Sequence, residues 1–72
     1  MKAIKVEVSE SEWSKVGPFV NNVNATNGED AMAYRLSRIS FLVITSGACS
    51  MRQVRIQLMS EFKQDTEVTE IK

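Results

Sequence analysis

The sequence predicts a small α+β domain with an antiparallel sheet and two helices, and three observations carry that prediction. Ile4, Val6 and Val8 alternate with Lys5 and Glu7, which is the period-2 pattern of a half-buried strand. Ser9-Glu10-Ser11-Glu12 follows at once with the residues of a capping box, the signature of a helix start. Further on, the run Ile39-Ser40-Phe41-Leu42-Val43-Ile44-Thr45 is β-branched and aromatic with apolar residues at both parities, as a central strand of a sheet requires.

Each element follows from the same kind of reading. In the first helix Val8 and Trp13 occupy the two positions of a hydrophobic staple, and Trp13, Val16, Val20 and Val23 continue at helical spacing. Gly17-Pro18 interrupts it, because proline has no amide to donate, so the segment reads as one kinked helix or as two pieces meeting at Pro18. Asn24 to Asp30, with Asn27-Gly28 inside it, is the clearest turn signal. Residues 31–38 fit two patterns: a strand with Tyr34 and Leu36 on one face, or a helix carrying Met32, Leu36, Ile39 and Val43 as a stripe. Ser46-Gly47 ends the next strand, and Ser50-Met51-Arg52-Gln53 matches a second capping box ahead of Met51, Val54, Leu58 and Phe62, which predicts a helix; a strand through Val54, Ile56 and Leu58 is the rival. Thr66 to Ile71 reads as a short last strand. Strand, helix, strand, strand, helix, strand over residues 1–72 is the order of a split βαβ, or ferredoxin-like, domain. Its weak point is Ser37-Arg38, which offers no hairpin turn of the usual kind.

Composition narrows the chemistry. Seventy-two residues form one domain with a small core, and chains of this size are commonly reinforced by disulfides, a metal or a partner. Cys49 is the sole cysteine and there is no histidine, so neither an internal disulfide nor a zinc cage nor a Ser-His or Cys-His nucleophile pair can be built. The three glycines are isolated, which leaves no phosphate-binding loop. No catalytic, cofactor-binding or metal-binding residue is assigned, and a non-enzymatic role is expected. Cys49 reads as a small buried residue packing on Val54. The acidic neighbours Glu10 and Glu12, and Glu29 and Asp30, are explained by capping and solvation. The longest apolar run, Phe41 to Ile44, is far short of a membrane span, and a charged N-terminus with one thiol points to a reducing, cytoplasmic setting. The acceptor triplet Asn24-Ala25-Thr26 carries no weight without an export signal.

The charge distribution is the most informative feature. The total is zero, but residues 31–60 hold Arg35, Arg38, Arg52 and Arg55 and no acid at all. Residues 1–30 set Lys2, Lys5 and Lys15 against Glu7, Glu10, Glu12, Glu29 and Asp30, and residues 61–72 set Lys63 and Lys72 against Glu61, Asp65, Glu67 and Glu70. Arginine suits bidentate contacts and is enriched at interface hot spots. Arg35, Arg38, Arg52 and Arg55, with Ile56 beside them outside the helical stripe, are therefore the candidate partner-binding residues. The competing account is that these arginines pair with the molecule's own acidic ends. Met32, Met51 and Met59 lie in the same half and read first as core filling.

The expected function is a small binding protein that inhibits, adapts or regulates a larger protein by occlusion, in the manner of phage or mobile-element regulators, with an acidic partner surface favoured and self-association as a further route to stability. The alternative is a nucleic-acid-binding regulator, either a ribbon-helix-helix type with β-strand Ala3, Lys5 and Glu7 facing the bases or an RNA-binding βαββαβ module. An outward Glu7, a single aromatic (Phe41) on the relevant strand and a net charge of zero all weigh against it.

Overall fold

A computed structural model describes residues 1–27, 29–63 and 65–71. It contains β1 (Lys2–Glu7), a 3₁₀ helix (Glu10–Lys15), α1 (Val16–Thr26), β2 (Ala31–Arg35), β3 (Ser40–Thr45), α2 (Ala48–Glu61) and β4 (Glu67–Ile71). The four strands form one sheet in the order β2-β3-β1-β4, antiparallel at every junction. Helix α1 carries the chain from β1 to β2 with β3 between them, and α2 from β3 to β4 with β1 between them, so each half is a split βαβ unit. The α+β class is as the sequence predicts. Residues 31–35 form a strand, which resolves the ambiguous segment, and the rival strand through Val54 to Leu58 is replaced by helix.

Both helices lie on one face of the sheet. Ile4 and Val6 of β1, Phe41 and Val43 of β3, and Ala31 and Ala33 of β2 meet Val16, Phe19, Val20 and Val23 of α1 and Met51, Val54 and Leu58 of α2 in one buried cluster. Small alanines on β2 leave room for α1, which packs against that edge. Phe19, Phe41 and Phe62 form its aromatic centre, with ring centroids 5.3, 5.4 and 6.0 Å apart in tilted and edge-on pairs.

The helix starts differ from the sequence reading. A 3₁₀ turn precedes α1; the Ser9 hydroxyl accepts weakly from the Ser11 amide at 3.4 Å, and Trp13 points to solvent instead of stapling onto buried Val8. Pro18 falls in the first turn of α1, where an amide has no helical partner to lose, so the helix runs on through Gly17-Pro18 from its start at Val16. Helix α2 begins at Ala48, with extended Gly47 at the N-cap and no side-chain cap; Ser50 is already inside the first turn and cannot serve as one. That early start also leaves Cys49 exposed, correcting the expectation that it packs on Val54.

The β2–β3 connection is closed by side chains. Leu36 and Ser37 amides donate to the Ser40 carbonyl at 2.9 and 3.1 Å, the Ser37 and Ser40 hydroxyls lie 2.6 Å apart, and the Arg35 guanidinium donates to the carbonyls of Ser37 and Arg38, each at 3.0 Å. The Asn27-Gly28 turn expected from the sequence extends partly outside the described residues.

The ladder phase decides which backbone groups face outward at the two edges. The Val8 amide donates to the Ile39 carbonyl at 2.8 Å, so even-numbered residues of β1 bond β3 and odd-numbered ones bond β4. By the same alternation Val68 and Glu70 turn their N–H and C=O groups away from the sheet at the β4 edge, and Ala31, Ala33 and Arg35 do so at the β2 edge. Ala33 is met there by Asn24 of α1, whose Nδ2 donates to its carbonyl at 3.1 Å and whose Oδ1 accepts from its amide at 2.8 Å.

Candidate binding surfaces

The four arginines do not form one patch. Arg35 and Arg38 leave the β2–β3 connection near the end of β1, whereas Arg52 and Arg55 project from α2 beside Lys2 at the start of β1. Arg35 holds the connection described above, and its Nη1 would lie 3.3 Å from a Cβ placed on Gly17, so the guanidinium rests against the bare backbone at the start of α1. Nη2 of Arg38 donates to both carboxylate oxygens of Glu10, and its guanidinium carbon stands 5.7 Å from the Trp13 ring centroid. Arg55 lies 3.6 Å from Glu70 of β4. Arg38 and Arg55 thus pair with the acidic ends of their own chain. Arg52 is exposed and makes no ion pair among the described residues.

Ile56 is 63% exposed and Met59 77% exposed, and with Arg52 they follow one flank of α2 at i, i+4 and i+7. This flank borders β4. One groove is lined by Leu58, Met59, Phe62 and Val68, and a second by Arg52, Arg55, Ile56, Met59 and Glu70. Of the three methionines read as core filling, Met51 is buried, while Met32 and Met59 are exposed.

The sheet face opposite the helices is the larger feature, and the sequence reading missed it. Register places Met32, Ile44, Ala3 and Ile71 side by side across all four strands, with Tyr34, Leu42, Lys5 and Thr69 in the next row. Met32, Tyr34 and Ile71 are 48%, 45% and 47% exposed; Leu42, Ile44 and Ala3 are half-buried although no helix covers them. The Tyr34 hydroxyl reaches the Met32 sulfur at 3.6 Å, setting both side chains on this surface. The third row sets Glu7 directly opposite Glu67, a like-charge pair that costs stability, and neither makes an ion pair among the described residues. The available signal was Met32 and Tyr34 alternating with alanines, together with the two apolar parities of β3. The second parity of β3 faces outward, not under another layer.

Phe41, read as the aromatic an RNA-binding face would use, points into the core beneath the helices. β1 is bonded on both sides, by β3 and β4, so a ribbon-helix-helix arrangement finds no free N-terminal strand. Among the described residues no group of three or more His, Cys, Asp or Glu side chains is arranged to hold a metal ion, and no helix is long and apolar enough to cross a membrane. The chain matches no protein-family model, no curated protein and no solved structure.

Proposed function

We propose that this chain is a non-catalytic binding protein that docks a partner protein on the uncovered face of its sheet and regulates that partner by occluding it. The row Met32, Ile44, Ala3 and Ile71, continued by Leu42 and Tyr34, carries the reading. Contiguous apolar surface on a small domain marks an interaction site, and this one rests on rigid strands and not on loops. Glu7 and Glu67 at one end, which make no ion pair among the described residues, favour a partner whose apolar patch is bordered by a basic group, since a cation there relieves their mutual repulsion. Arg35 and Arg38 are secondary in this reading because they already hold the chain's own turn and 3₁₀ helix; Arg52, which makes no ion pair among the described residues, and exposed Ile56 can serve a further contact.

Nucleic acid is the weaker reading. The open face offers Tyr34 as its aromatic and Lys5 as its cation, against two carboxylates, which is a poor stacking platform and a poor phosphate tract. The test is affinity capture from extract of the producing cells, with and without nuclease, followed by binding measurements on the purified partner. Leu42→Lys and Ile44→Lys are expected to weaken binding more than about tenfold while nuclease has no effect on capture. If Arg38→Glu and Arg55→Glu abolish binding and the two lysine variants leave it intact, the open face is not the site.

A further inference from the structure

The β4 edge carries an inference independent of the open face. We infer that two copies of this chain pair antiparallel through β4, across a two-fold axis at Thr69, and join their sheets into one. Val68 and Glu70 turn outward backbone donors and acceptors that have no partner among the described residues, while the outward groups of Ala33 at the other edge are taken by Asn24. Asn24 thus stands across the middle of the β2 edge, whereas no side chain among the described residues bonds the outward groups of β4, which makes β4 the more open edge for a strand to add.

An added strand must bond the even-numbered residues of β4, and a two-fold copy can do so in three registers. Val68 opposite Val68 uses only residues 67–69 of the strand, and Glu70 opposite Glu70 uses only 69–71 and sets two carboxylates face to face. Val68 opposite Glu70 uses the whole of Glu67–Ile71: Glu67 meets Ile71, Thr69 meets Thr69, and no carboxylate stands directly opposite another. The strand is complementary to itself in this register.

The neighbouring helix fits the same axis. Met59 lines one groove beside Val68 and the other beside Glu70, which puts it level with Thr69. The two-fold that pairs the strands therefore turns the exposed Met59 and Ile56 of each α2 towards those of the second copy, giving this apolar flank an occupant. A chain of 72 residues with no disulfide and a small core gains the reinforcement its size calls for.

Sedimentation of the purified chain over a range of concentrations tests this. The dimer fraction is expected to rise with concentration. Glu70→Pro removes an outward amide without touching a bond to β1, and Met59→Lys places charge at the axis; each is expected to weaken dimerisation more than about tenfold. Circular dichroism reports whether Glu70→Pro is folded; if it is not, Met59→Lys, at an exposed helix position, decides alone. Leu42→Lys on the open face is expected to leave the dimer intact. A wild-type monomer at every concentration overturns the inference, as does a dimer that survives Met59→Lys. Loss of the dimer in Leu42→Lys overturns it too, because the copies would then meet through their sheet faces.

Discussion

Glu12 illustrates how one side chain can outgrow its sequence signature. Its carboxylate is buried, accepts from the Lys63 backbone amide at 3.1 and 3.3 Å and pairs with Lys15 at 2.9 Å. Lys15 in turn donates to the Glu61 carbonyl, so the 3₁₀ helix is fastened to the end of α2 by two residues. Glu12→Ala leaves a part-buried amide without its acceptor and is expected to cost about 1–3 kcal/mol in urea unfolding. Arg38→Ala should cost less than about 1 kcal/mol, because its Glu10 pair and its Trp13 contact are both solvated. Reversal of that order would mean that the 3₁₀ helix is held from outside by Arg38 and not from beneath by Glu12.

At the scale of elements, the strands were easier to read than the joins. Period-2 alternation in β1 and the β-branched run of β3 located those strands because burial on a pleated face imposes the pattern directly. The β2–β3 connection left no such trace, since Arg35, Ser37 and Ser40 close it through side chains where other hairpins use Gly or Asn backbone conformations. Arg35→Ala is expected to speed hydrogen exchange at the Leu36 and Ser37 amides and to cost about 1 kcal/mol; unchanged exchange would show that the serines suffice. The second capping box was a chance match: Ala48 and Cys49 are already helical, so Ser50→Ala should shift stability by no more than about 0.5 kcal/mol. The arginines suggested one surface because a sequence records proximity along the chain, whereas the fold sends Arg35 and Arg38 to one end of the sheet and Arg52 and Arg55 to the other. The open face could not be read for a related reason. Apolar residues at both parities of β3 look alike whether the second face lies under a helix or under water.

For the whole molecule, the side chain of Asn24 governs how many neighbours a copy can accept. A building block with one adhesive end makes pairs and stops, whereas one with two makes chains that lengthen without limit. Asn24 imitates a short piece of strand and takes both groups of Ala33, the middle of the three outward residues of β2, which obstructs that edge and leaves β4 the more open one. Asn24→Ala leaves the part-buried amide and carbonyl of Ala33 without their partner and is expected to cost about 1–3 kcal/mol in the folded monomer. In concentrated solution it should convert a clear sample into one that scatters light increasingly with time, as copies join β2 edge to β4 edge. Adding Glu70→Pro should return it to clarity by blocking the remaining end. On this account an amide that ties a helix to the edge of its own sheet also acts as a chain terminator that keeps the protein dispersed.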